Sequence, residues 1–353
     1  MLVQPVIKPK GDGFVSTLSI RSVEPPGLPG QSANPKAIPM RSLVFALCAF
    51  CLGTFSAFGA DPQSGTENGP YLFSYFRDNG QDGLHLAWSR DGLVWKSLNS
   101  DKPLTKPVVG GKLMRDPSIA QGPDGVFHMV WSTGWWDTGF GYSSSKDLIH
   151  WTPHKNIPVN ADTPGAKNTW APDLYYDAPG KRFVIVYSTT VSGRFPETEK
   201  GGDHNHRPYF VTTNDFQTFS KPEVLFNPGY NSIDGTLFEA NGKITLIYKD
   251  ERPGHKTLHA TTTTEIGKPF APATGSILDR DWVEGPTVLK VGKVWRLYYD
   301  CYTKGHFGAA ESADGVAWRD ITPSLQIPKG ARHGTAFAVS PQILGNLLKL
   351  SGD

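Results

Sequence analysis

Four acidic residues and one histidine hold matched places in this sequence, and their types suit acid–base chemistry or cation binding. Asp116 lies 15 residues before Trp131, and Glu284 lies 15 before Tyr299. Asp234 lies 14 before Tyr248, and Asp173 lies 14 before Tyr187. Each of those aromatics closes an apolar run, and His333 fills the corresponding place in a fifth segment. Asp-Pro and Asp-Gly are ordinary turn pairs, so Asp116 or Asp234 alone is accounted for by local structure. Glu284 is not a turn residue and sits between Trp282-Val283 and Gly285-Pro286. As a set, turn acids would scatter instead of sharing one phase, and like charges gathered on one axis repel. A shared phase therefore points to use. Trp135, Trp136, Trp170 and Trp282 fall near the same segment starts, where rings can stack on sugars, although core packing explains any one of them equally well. His204 and His206 lie in the stretch SGRFPETEKGGDHNHRP (192–208). With no third partner in sequence they read as hydrogen-bonding loop histidines, His206 among the substrate-binding candidates, rather than as metal ligands. Arg115 is expected on the strand face opposite Asp116 unless its side chain turns inward.

The elements that must carry these residues repeat along the chain. One unit is a strand ending in small polar residues, then a tight turn, then an aromatic. It occurs as HLAWSRDGLVW (85–95), GYSSSKDLIHW (141–151), YFVTTNDFQTF (209–219) and GAAESADGVAW (308–318), with LHATTTTEIGKPF (258–270) as a degenerate copy. Before each copy stands an apolar strand ending in aromatics: YLFSYF, VFHMVW, RFVIVY, KITLIY and VWRLYY. Four copies also have a further strand start upstream: RDPSIA, APDLYY, IDGTLF and EGPTVL. The first copy lacks one, and the missing piece is HGTAFAV (333–339) at the far end. Five copies of one supersecondary unit predict an all-β, five-bladed β-propeller. A C-terminal strand joining the N-terminal blade closes the ring and removes free sheet edges. The domain is expected over residues 66–345, with four strands per blade and a short terminal helix in PQILGNLLKL.

Composition agrees. The chain has 353 residues, 12% aromatic content with ten Trp, 38 Gly and 29 Pro, which suits many short strands and turns. A net charge of +2 offers no polybasic surface for nucleic acid or acidic lipid. Residues 1–39 read as disordered or as an over-extended gene start. Residues 40–60 read as a signal peptide: Met40-Arg41, the apolar run Leu43 to Leu52, then Ala57-Phe58-Gly59-Ala60, with cleavage after Gly59 or Ala60. That implies a secreted or periplasmic protein, free of the membrane after cleavage. Cys48 and Cys51 would leave with the signal, so Cys301 would remain without an internal partner.

In order and spacing, RDPSI (115–119), NTWAPDLYYD (168–177), SIDGTLF (232–238), VEGPTV (283–288) and RHGT (332–335) resemble glycoside hydrolase family 43, as does SKDLIHW (145–151). The resemblance covers roughly residues 70–340 and implies a five-bladed catalytic domain. By it, Asp116 is the general base, Glu284 the general acid and Asp234 the acid that tunes and orients the donor. His333 matches the axial histidine, which in many members helps hold a central calcium ion; Asp173 is a supporting residue. The chain departs from the family pattern after Asp234, where Gly-Thr replaces the commoner Pro. The family inverts configuration, so the two working carboxyl groups are expected roughly 6.5–9.5 Å apart. Glu284 is expected beneath aromatics and beside Asp234. The implied substrate is an α-L-arabinofuranoside on a plant-type polysaccharide, with β-xyloside or galactoside next. No cofactor beyond calcium is implied, and a monomer is expected. Overhang by residues 192–208 would favour exo action. A fructan-acting propeller would need an Asn-Asp-Pro and a Glu-Cys pair, both absent. A non-catalytic sugar-binding propeller should have lost one of the three acids.

Overall fold

The computed structural model describes residues 69–200 and 204–351. The expected disordered segment, the signal peptide, Cys48 and Cys51 lie outside the described residues. Five antiparallel sheets follow one another along the chain. From the axis outward, blade two is Arg115–Gln121, Phe127–Ser132, Phe140–Ser145 and Lys155–Ile157. Blade three is Trp170–Asp177, Arg182–Thr189, Arg207–Thr213 and Glu223–Val224. Blade five is Glu284–Val291, Val294–Cys301, His306–Ser312 and Arg319–Asp320. Blade one combines Tyr71–Tyr75, His85–Ser89 and Lys96–Ser97 with the C-terminal strand Ala336–Ala338, which pairs with Tyr71, Leu72 and Phe73. The ring closes as the sequence predicts.

Blade four departs from the four-strand expectation. It has three strands, Ser232–Ala240, Lys243–Asp250 and Thr257–Thr263. The segment outside them follows irregularly, with Ala271, Thr274 and Ile277 donating to the carbonyls of Thr262, Ala260 and Leu258. Pro269 and Pro272 have no N–H to give a ladder, so pairing is intermittent there.

The recurring turn has a physical cause. Ser89 and Asp91 clasp it in blade one: Asp91 Oδ1 accepts from the N–H groups of Leu93 and Val94, and Ser89 Oγ accepts from Gly92. Ser145 with Asp147, Thr213 with Asp215, and Ser312 with Asp314 repeat those contacts. In blade four Glu265 stands where the aspartate should be, and Thr263 donates to the Glu265 carbonyl instead. The longer side chain cannot fold back on its own turn, which makes that copy degenerate.

Apolar side chains pack between blades rather than on the axis. Five clusters fill the five gaps; Phe73, for instance, meets Trp95, Tyr298 and Phe307 edge-on at centroid distances of 5.5, 6.0 and 5.3 Å. Trp131 and Tyr299 lie flat against Gly141 and Gly308 on neighbouring strands, where a Cβ would stand 2.0 and 2.2 Å from the ring. The helix Pro341–Ser351 starts with Pro at its first position and with Ser340 Oγ accepting from Ile343 N. It drives Leu344 and Leu347 into the cluster between blades one and two. Among the described residues no helix is long and apolar enough to cross a membrane.

Candidate active site

The inner strands of blades two to five all begin with the same irregularity. Their register against the second strand slips between Arg115 and Ser118, Trp170 and Asp173, Ile233 and Thr236, and Glu284 and Thr287. At each bulge the second residue has positive φ: Asp116 at 54°, Ala171 at 45°, Asp234 at 55° and Gly285 at 57°. Blade one matches, with Arg332 bridged to Phe76 and the Thr335 carbonyl accepting from Ser74. Asp116, Asp234 and His333 therefore share the second place, Glu284 holds the first and Asp173 the fourth. The single phase expected from sequence is in fact three nearby places. The bulge also breaks strand alternation, so first and second residues both reach the mouth. Arg115 accordingly turns inward: its guanidinium lies 4.8 Å from the Phe76 ring and 4.3 Å from the Trp135 ring and donates to Asn79.

Two of these groups meet at His333. Its Nδ1 is 3.3 Å from Asp116 Oδ1 and 3.8 Å from Asp234 Oδ2. Burial works against the imidazolium, but contact with Asp116 and the charges of Asp234 and Glu284 outweigh it and raise its pKa to about 9. Burial alone would raise Asp116; the His333 contact, Arg115 and Ser132 Oγ at 2.8 Å lower it to about 2. Asp234 goes the other way, to about 6, through burial and the Glu284 and Asp116 charges. Its Oδ2 also accepts from Gly285 N at 3.0 Å, and its own N–H donates to Ser188 Oγ. The same carboxylate thus fastens blade four to blade five.

Glu284 is held by two cations. Arg332 Nη2 donates to its Oε1 at 3.1 Å and Lys249 Nζ to its Oε2 at 3.0 Å. Arg332 is held by the buried Asp300, Nε to Oδ2 at 2.6 Å. Lys249, Asp300 and Arg332 are absent from the site expected on sequence grounds. Their signal is a charged residue directly after the closing aromatic of an apolar strand, as in Tyr248-Lys249 and Tyr299-Asp300, and an arginine beside the axial histidine.

The aromatic candidates divide. Trp135, Trp136 and Trp282 are 47, 51 and 45% exposed, which removes core packing as their explanation. Trp170 is half-buried, meets Trp135 and Trp136 at 5.9 Å and donates Nε1–H to the Trp135 carbonyl. His206 stacks on Trp170 at 4.4 Å and is buried, not a solvent-facing loop histidine. Its Nδ1 meets Asn231 at 3.1 Å, while Nε2 has no hydrogen-bond partner among the described residues. His204 packs against Trp136 and Trp170, so the 192–208 stretch does reach this wall. Trp282 stands apart from that wall, near Tyr302, on backbone with φ of 57°.

Over residues 67–342 the chain matches the glycosyl hydrolase 43-related family, described as a probable glycosyl hydrolase domain. The chain belongs to that family. This glycoside hydrolase is 27% identical over 202 residues to an α-L-arabinofuranosidase of Bifidobacterium longum subsp. longum, a match covering 50% of this chain and 19% of that protein. The chain therefore spans about a fifth of that relative's length. Among solved structures, a thermostable family-43 glycoside hydrolase is 18% identical with a TM-score of 0.48, covering 62% of this chain and 78% of that one. An α-L-arabinofuranosidase from Lactobacillus brevis is 19% identical with a TM-score of 0.47, covering 59% and 72%.

Asp173 lies below the mouth, accepts from Ser118 Oγ at 2.7 Å and lines an axial cavity of about 520 Å³ with Thr236, Thr287 and Thr335. His333 turns Nδ1 to two carboxylates, whereas calcium prefers six to eight oxygens. No group of three or more His, Cys, Asp or Glu among the described residues could hold a metal ion. A larger cavity of about 660 Å³, beside Trp88, Trp95 and Leu348, lies at the outer edge of blade one, away from these acids.

Proposed function

We propose that this glycoside hydrolase removes α-L-arabinofuranosyl units from plant-type polysaccharide side chains, with inversion of configuration. The observation that carries this is the convergence of Asp116, Asp234 and Glu284 around His333, with Asp116 and Asp234 pushed in opposite directions. Asp116 stays ionised and draws a proton from a water aimed at the anomeric carbon. Glu284 protonates the departing oxygen from the other side of the sugar. Asp234 interacts electrostatically with both. Similarity to the Bifidobacterium α-L-arabinofuranosidase favours the arabinofuranoside over β-xyloside or galactoside. His204 and His206 beside Trp136 and Trp170 close one side of the mouth, which favours release of a terminal unit. Export through the 40–60 segment and action as a monomer complete the proposal; N-terminal sequencing and gel filtration of the native protein test them.

Aryl arabinofuranoside, xyloside and galactoside, assayed in parallel, test the substrate. Proton NMR of the first-formed anomer tests inversion; a retained anomer refutes it. Glu284→Gln is expected to slow hydrolysis of unactivated substrates by about 10²–10⁴-fold with the fold intact. Undiminished turnover removes Glu284 from the donor role. If no glycoside is cleaved, the non-catalytic sugar-binding reading gains.

A further inference from the structure

Glu284 as proton donor raises a difficulty that the surrounding charges resolve, and the part given to Lys249 in resolving it rests on that donor assignment. A cation fixed beside a general acid makes it a poor donor, because the cation favours the carboxylate. Two cations touch Glu284, and they are held differently. Arg332 is anchored to Asp300, on the strand paired with that of Glu284. Lys249 is the penultimate residue of the second strand of blade four, its side chain is 2% exposed, and it is shared: its Nζ stands 3.0 Å from Glu284 Oε2 and 2.8 Å from Glu251 Oε2. Glu251 is in turn paired with Lys256. The Tyr302 ring, with its centroid 4.4 Å from Lys249 Nζ, bounds the other side of the ammonium. The ammonium thus touches both acids at once.

We propose that Lys249 is a positioning residue that sets the proton affinity and orientation of Glu284, and that Glu251 competes with Glu284 for it. Drawn to Glu251, the lysine leaves Glu284 free to carry its proton; drawn back, it stabilises the carboxylate left after transfer. The other groups facing Glu284 are Arg332 and His333 as cations, Asp234 and Asp300 as anions, and the Tyr302 hydroxyl. Lys249 is the cation among them with a second acid in contact on its own blade.

The test is a titration of side-chain carboxyl ¹³C resonances in the full chain, with Glu284 assigned by its loss in Glu284→Gln. Lys249→Met is expected to raise the Glu284 midpoint by about one pH unit or more. Lys249→Arg should keep it near the wild-type value, and Glu251→Gln should lower it. The alkaline limb of kcat/KM on an aryl glycoside should move in the same directions. A lysine that only supports the fold would lower Tm and leave the midpoint where it was. Unmoved midpoints in both Lys249→Met and Glu251→Gln overturn the proposal. If Lys249→Met fails to fold, Glu251→Gln, at a partly exposed side chain, decides alone. Full turnover by Glu284→Gln would sink the donor assignment while the titration still reports whether Lys249 governs this carboxyl.

Discussion

His333 joins the two halves of the candidate chemistry, since one ring nitrogen serves both Asp116 and Asp234. Its folded pKa, about 9, exceeds the free value of 6.5. The stabilisation from its charge is therefore complete below about pH 6.5 and is lost as pH rises through about 9. Asp116 works in reverse: lowered to about 2, it contributes above the free value of 3.8 and loses that contribution as pH falls toward 2. Urea unfolding of the wild type is expected to show stability declining between about pH 6.5 and 9.5, and His333→Gln should flatten that decline. An equal slope in the variant would show that other groups titrate there. These partners are legible in the sequence because acids and a histidine recur beside the same strand motifs. Lys249, Arg332 and Asp300 are legible as charged residues beside those motifs but not as partners, because their ion pairs join different blades and no local pattern records such pairings.

The bulged strand start is the element on which the site depends. Positive φ at Asp116 and Asp234 is tolerable for aspartate and lets adjacent side chains converge where a regular strand would send them apart. The spacing of 14 or 15 residues back from each closing aromatic locates each strand start. It cannot separate the places within the bulge, because a bulge inserts a residue without a compositional mark. The outer turns are legible for the opposite reason: their Ser/Thr-x-Asp clasp is written in contiguous residues, and its loss at Glu265 is visible as well. One consequence concerns Asp234, which accepts from Gly285 N across the blade gap. Asp234→Asn keeps an acceptor there and should retain stability within about 1 kcal/mol while losing activity. Asp234→Ala leaves a buried N–H unpaired and should cost about 1–3 kcal/mol as well. Denaturation midpoints beside turnover numbers separate the two roles; equal midpoints would leave Asp234 with no structural part.

At the scale of the molecule, five gaps between blades carry the apolar core, and the axis keeps a cavity and the charged mouth. The terminal helix belongs to that core. Leu347 is fully buried, and Leu347→Ala is expected to cost about 2–5 kcal/mol, read from urea unfolding. A loss below about 1 kcal/mol would mean that the strand pairing alone secures the closure.

That closure joins Tyr71, Leu72 and Phe73 to Ala338, Phe337 and Ala336 with no covalent bond between the two ends. The first blade to leave the ribosome is thus the last to be completed, since its inner strand is still inside the exit tunnel when the other four blades have emerged. Until that strand emerges, the nascent chain presents one unpaired edge, a natural docking point for a chaperone and a vulnerable one for a protease.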